Sequence, residues 1–272
     1  MITASIDIGT NTILLLVADI SNGVITRVLH DEQLIARLGR GVDANRRLLP
    51  ETMERAAGYL QQYRRTAESL RAERIIAVGT SALRDAQNSR EFCDFIKQTT
   101  GIEIQIISGD EEARWTYMGG ISEFSERAEQ FSVLDIGGGS TEVVTGTATD
   151  ITAKRSFDLG CVRVTERFMP TAPPTENEIA KARSFIREML QPVREFGVGA
   201  TLAVAVAGTP TTLAAVYQHL PFYDRTRVTG FRLDRNITRE LFDMMKGMTF
   251  KEIAALPQVS QGRADVLLAG VL

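Results

Sequence analysis

The chain has 272 residues, 44% hydrophobic and 24% charged, with a formal net charge of -3. That balance excludes a disordered polymer and leaves one large domain or two of ordinary size. A mildly acidic chain is no generic nucleic-acid binder, and no apolar run approaches the roughly 20 residues that span a bilayer. Met1 leads into a strand pattern rather than a signal peptide, so a cytoplasmic location is expected, with neither nucleic acid nor membrane as partner. Cys93 and Cys161 make no disulfide framework, and His30 and His219 stand in no metal-ligand spacing. A zinc hydrolase and a Ser-His-Asp hydrolase are therefore disfavoured. Any chemistry must rest on carboxylates, hydroxyls, arginines and backbone amides.

In chain order, three short strands are expected near 2–8, 13–19 and 24–29, joined by turns at Gly9 to Asn11 and Ser21 to Gly23. A long helix follows Pro50, with Met53, Ala56, Ala57, Leu60 and Tyr63 at helical spacing. Next come a strand at Arg74 to Val78, a helix from Ser89 to Thr99 closed by Gly101, and a strand at Glu103 to Ile107. A further helix opens at Gly109 to Glu112 and ends near Gly119 and Gly120. The second half repeats the order: strands near 131–135, 141–146 and 151–157, then a short helix around Val162 to Phe168. A loop holding Pro173 and Pro174 starts a long helix from Glu176 to Phe196, a buried strand runs from Leu202 to Ala207, and Gly208 to Thr212 opens another helix. The apolar pattern Val266 to Leu272 reads as an incomplete final helix. Two halves of this kind predict α/β domains with mixed sheets facing an interdomain cleft, divided as 1–122 and 123–272.

One pattern occurs in both halves. Asp7-Ile8-Gly9-Thr10-Asn11-Thr12 and Asp135-Ile136-Gly137-Gly138-Gly139-Ser140-Thr141 each place an aspartate at the end of a strand, then glycine and hydroxyl residues, then a second β-branched strand. Glycine lets backbone amides approach an oxyanion, and hydroxyls add donors. The aspartate can hold a cation that neutralises a polyphosphate. A single Asp-Ile-Gly turn is ordinary hairpin chemistry; two copies point to related halves serving phosphate.

These segments resemble the exopolyphosphatase and guanosine pentaphosphate phosphohydrolase (Ppx/GppA) family, in the superfamily that holds actin, heat-shock chaperones and sugar kinases. The resemblance continues through Arg37 to Asp43, Gly79-Thr80-Ser81-Ala82-Leu83-Arg84, Ser108-Gly109-Asp110-Glu111-Glu112-Ala113-Arg114, Glu142, Gly208-Thr209 with Thr211-Thr212, and Arg263-Ala264-Asp265. It implies the compact form with two actin-like (ribonuclease H-like) domains. Thr12 stands where serine is common, and Pro210 removes a donor from the Gly208 turn.

Phosphoanhydride hydrolysis needs a cradle, a cation and a group that orients or deprotonates water. By the resemblance Glu112 is the base, with Glu111 as the alternative; on sequence alone both equally complement a helix N-terminus. Arg84 is the third expected catalytic residue: its guanidinium suits bidentate phosphate binding and would stabilise charge on the transferred phosphoryl. Gly9, Thr10, Asn11, Thr12, Gly137, Gly138, Gly139, Ser140, Thr141, Gly208 and Thr209 are the expected phosphate-binding residues, and Asp7, Asp135 and Glu142 the expected magnesium ligands. Arg37, Arg40, Arg46 and Arg47 form a local basic cluster that would extend a phosphate track or be solvated loop. The expected activity is magnesium-dependent release of terminal phosphate from inorganic polyphosphate, with guanosine pentaphosphate as the alternative substrate. An ATP-binding kinase or a non-catalytic alarmone sensor is the remoter reading, and a homodimer is left open.

Overall fold

The computed structural model describes residues 1–196 and 202–272. The chain divides into two compact units, Met1–Ser108 and Gly109–Leu272.

The first unit begins with strands β1 (Ile2–Ile8), β2 (Ile13–Ser21) and β3 (Val24–Leu34). Helices α1 (Val42–Asn45) and α2 (Pro50–Ser69), strand β4 (Arg74–Gly79), helices α3 (Ser81–Asp85) and α4 (Ser89–Thr100), and strand β5 (Ile104–Ile106) follow. The sheet order is β3-β2-β1-β4-β5. β1 pairs antiparallel with β2 and parallel with β4, so the sheet is mixed as expected. Pro50 at the start of α2 suits a position where an amide has no helical partner anyway. Ala56, Leu60, Tyr63 and Ala67, spaced three and four apart, put one face of α2 into the core; Phe92 and Ile96 do the same for α4. Tyr63 serves the loop after β1 as well as the core: its hydroxyl donates to Ile13 O at 3.0 Å and pins the first residue of β2. Burial holds that phenol well above its ordinary pKa, so it remains a donor.

The second unit opens with α5 (Gly109–Ile121), then β6 (Phe131–Ile136), β7 (Thr141–Gly146), β8 (Ile151–Phe157), α6 (Cys161–Phe168) and α7 (Glu176–Met189). β9 (Leu202–Val206), α8 (Gly208–Tyr217), α9 (Arg225–Val228), α10 (Arg235–Met245), α11 (Phe250–Ala254) and α12 (Ala264–Val271) complete it. The sheet order is β8-β7-β6-β9, with β6 antiparallel to β7 and parallel to β9. β6, β7, β8 and β9 therefore repeat the arrangement of β1, β2, β3 and β4. Ala113, Tyr117 and Ile121 of α5 cover one face of this sheet against Phe131, Val133 and Val144. α6, α7 and α12 build the core on the other face.

Two expectations change. α7 stops at Met189, and Gln191–Phe196 is a 3-10 turn; Pro192 has no amide to continue the helix and its ring clashes with the preceding turn. β9 is not fully buried: Leu202, Val204 and Val206 pack towards α5, while Ala203 and Ala205 are exposed. Among the described residues it is an edge strand, paired only to β6. Among the described residues no helix is long and apolar enough to cross a membrane.

Candidate active site

The hairpins β1–β2 and β6–β7 turn through four residues closed by the same bond. Gly9 N–H donates to Thr12 O and Gly137 N–H to Ser140 O, each at 3.0 Å. A Cβ on either glycine would lie 2.9 Å from that carbonyl oxygen, so the close approach requires glycine at both. The next carbonyls are tied back into each unit. Thr10 O accepts from Gly39 N at 2.8 Å and Asn11 O from Arg37 N at 2.9 Å. In the second unit Gly138 O accepts from Val162 N at 2.9 Å, and Gly139 O from Arg163 Nε at 3.0 Å. In a trans peptide the C=O and N–H point in opposite directions. The amides of Asn11 and Thr12, and of Gly139 and Ser140, therefore face away from these supports, the orientation that an anion-binding concavity requires. Thr10 Oγ1 is buried with no hydrogen-bond partner among the described residues, the state of a donor whose acceptor is a ligand or water.

The aspartates hold matching places. Asp7 lies opposite Leu14 on β2 and beside Val78 on β4; Asp135 lies opposite Glu142 on β7 and beside Val206 on β9. Each is two residues before its loop glycine. Each loop thus sits at the carboxyl end of two adjacent parallel strands, where open α/β sheets bind ligands. The turns after β4 and β9 lie next to them: Thr80 N–H donates to Ile8 O at 3.2 Å, and Gly208 follows β9 by two residues.

Charge gathers in the second unit. The four-residue turn brings Asp135 and Glu142 face to face across two strands, although seven residues separate them in sequence. Glu142 is 1% exposed and accepts from Ser156 Oγ at 2.6 Å. Asp135 Oδ2 accepts from Thr116 Oγ1 at 3.2 Å. Thr116 stands four residues after Glu112, on the same face of α5. Removal from water, then repulsion by Glu112, pushes Asp135 up to about 6, against the weaker pull of Thr116. Burial, Glu112 and Asp135 together raise Glu142 well above the usual carboxylate range. Glu112, half-buried, therefore acts on both carboxylates, whereas Glu111 is exposed.

Other expected residues are placed as follows. Arg84, on α3, donates from Nη1 to Ile107 O at 3.2 Å. Arg46 pairs with Asp85 at 3.5 Å and Arg47 with Glu91 at 3.9 Å, so part of the basic cluster is engaged in weak surface pairs. The Thr141 hydroxyl donates to Leu159 O at 2.5 Å and braces the loop from within. Thr209 is 2% exposed, its side chain against Gly270, and the Arg263 guanidinium lies against Gly208. Sequence reading passed over Thr116, Ser156 and Arg163. The four-residue step from Glu112 marked Thr116, and an arginine between Val162 and Val164 marked Arg163; nothing local marked Ser156.

Asp135 and Glu142 in the second unit, and Asp7 in the first, offer only hard oxygen donors, and a bound cation would favour the charged carboxylates that burial and mutual repulsion disfavour in the second unit, so the donor chemistry suits a divalent ion such as magnesium. Among the described residues no group of three or more His, Cys, Asp or Glu forms a ready metal cage. Magnesium does not need one, since it takes one or two carboxylates and completes its shell with water and phosphate.

Comparison with known proteins agrees with this geometry. The model of the Ppx/GppA phosphatase family matches residues 16–272. The chain belongs to the Ppx/GppA phosphatase family. It is 39% identical over 280 residues to exopolyphosphatase 2 of Mycobacterium tuberculosis, covering 99% of this chain and 87% of that protein. A solved exopolyphosphatase-like protein superposes with a TM-score of 0.93 at 32% identity, covering 100% of this chain and 86% of the other. The Aquifex aeolicus family member gives 0.80 at 32%, covering 100% and 87%. The chain is accordingly a phosphohydrolase on two mixed, actin-like sheets, and the paired loops are a repeated feature of this Ppx/GppA chain.

Proposed function

We propose that this phosphohydrolase releases orthophosphate from the end of inorganic polyphosphate, with magnesium as cofactor. The observation that carries the reading is Glu112 facing the buried pair Asp135 and Glu142, beside a loop whose amides are turned outward. Names of relatives such as exopolyphosphatase 2 support polyphosphate as the substrate.

In this mechanism the amides of Gly139 and Ser140 hold oxygens of the terminal phosphate, the Ser140 hydroxyl serves Glu142, and Gly137 and Gly138 shape the turn. Gly9, Thr10, Asn11 and Thr12 form the corresponding cradle of the first unit, with the buried Thr10 hydroxyl as a donor. Arg84 contributes positive charge for phosphate oxygens. Gly208 borders the second cradle, and Thr209 supports it from inside. Asp135 and Glu142 would hold a magnesium ion at the second unit, and Asp7 is the matching hard-oxygen donor of the first; the ion would supply neutralisation of phosphate charge. Glu112 orients a water for in-line attack and takes its proton; the leaving group is the shortened chain. Glu112 suits that role better than Glu111 because it is half-buried and acts on Asp135 and Glu142, whereas Glu111 is exposed.

The guanosine pentaphosphate phosphohydrolase activity of the family uses the same terminal phosphoanhydride. Phosphate release from polyphosphate, guanosine pentaphosphate and ATP, measured side by side with magnesium, tests the proposal. Release from polyphosphate at the highest kcat/KM supports it, and preference for either nucleotide replaces it.

A further inference from the structure

α6 meets the loop after β6 through three consecutive carbonyls. Cys161 N donates to Gly137 O at 2.9 Å, and Val162 N to Gly138 O at 2.9 Å, with Arg163 N a second donor to Gly138 O at 3.3 Å. The third carbonyl, Gly139 O, is reached by a side chain, Arg163 Nε, at 3.0 Å. Arg163 is 5% exposed. The first unit solves the equivalent problem differently, since Asn11 O is held by the backbone amide of Arg37.

The geometry points to Arg163 as a positioning residue for phosphate hydrolysis, one that fixes the Gly139–Ser140 peptide plane so that the Ser140 amide faces the phosphate. The inference rests on the reading above that this loop cradles phosphate. Gly137, Gly138 and Gly139 lack side chains, so their peptide planes rotate at little steric penalty. The backbone donors of the first turn of α6 hold the planes before Gly139, and Arg163 Nε supplies the bond to Gly139 O. A flip of that plane would turn a carbonyl oxygen towards the phosphate in place of an N–H, exchanging attraction for repulsion. Arg163 touches no reacting atom in this account and acts through the peptide it holds.

The test uses Arg163→Lys, which keeps a buried cation but cannot place a planar N–H at the Nε position, and Arg163→Ala assayed with and without added methylguanidinium. Removing one oxyanion donor lowers kcat by roughly 10²–10³-fold, and a loss up to that size is expected in both variants, with a smaller change in KM. Methylguanidinium should restore part of the alanine variant's kcat and leave the lysine variant unchanged. Folded variants with kcat within a few-fold of wild type would overturn the inference. If neither variant folds, the wild-type protein decides: titration with orthophosphate and magnesium, followed by amide NMR, should move the Ser140 and Gly139 resonances, and their indifference to phosphate would overturn it. Failure of wild-type protein to release phosphate from polyphosphate is a separate result, which sinks the functional reading and not the placement of the amides.

Discussion

Glu111 and Glu112 follow one another in the first turn of α5, but only Glu112 bears on the buried carboxylates. Replacement of Glu112 by Gln should lower kcat by roughly 10²–10⁴-fold, the usual contribution of a general base, while substrate affinity changes little. Glu111→Gln should stay near wild type; equal losses in the two variants would remove the assignment. The same carboxylates make stability depend on pH. In the folded chain without a divalent ion, Asp135 titrates at about 6 and Glu142 at about 8, against ordinary values of 3.8 and 4.5. Between the ordinary and the raised values the folded state binds more protons than the unfolded state, so stability falls as pH rises through that window and is fully retained below it. Magnesium should offset the fall. Melting temperatures at both ends of the window, with and without magnesium, check this; a larger magnesium gain at the acidic end would contradict it.

At the scale of elements, the paired hairpins make matched substitutions informative. Gly9→Ala and Gly137→Ala each put a Cβ 2.9 Å from the carbonyl that closes its turn. Such overpacking costs about 1–3 kcal/mol, and phosphate release should fall with it. Thr175→Ala is the control. It removes the capping box of α7, where the Thr175 and Glu178 side chains satisfy each other's backbone amides, costs roughly 1 kcal/mol, and should leave kcat unchanged. The elements at the loops were readable in sequence because β-branched runs end in Asp-x-Gly and because α2 repeats its apolar face with helical spacing. The stretch from Gln218 to Gly262 is not legible in the same way, since α9 and α11 span only 4 and 5 residues and the apolar faces of α9, α10 and α11 complete a core assembled from distant elements. Their starts were nevertheless marked, by Asp224, Asp234 and Thr249 as N-caps. The pairing of Asp135 with Glu142 was legible as a seven-residue interval. The burial of Glu142 and the bond from Arg163 to Gly139 were not, because both depend on how β8 and α6 fold back on the hairpin.

For the whole molecule, a net charge of -3 and a cluster of buried carboxylates are poorly suited to a polyanion unless cations intervene. Activity should therefore require a divalent ion, with magnesium preferred over softer metals, and excess chelator should abolish phosphate release reversibly. Full activity in chelator would take the cation out of the account. The central claim is that this chain cuts polyphosphate from its end. The direct measurement is the product distribution from long-chain polyphosphate with magnesium, followed from the first turnovers by gel and by free phosphate. The account predicts orthophosphate as the sole small product while the remaining chains shorten from their ends; the appearance of internal fragments, or chains left intact with no phosphate released, would contradict it.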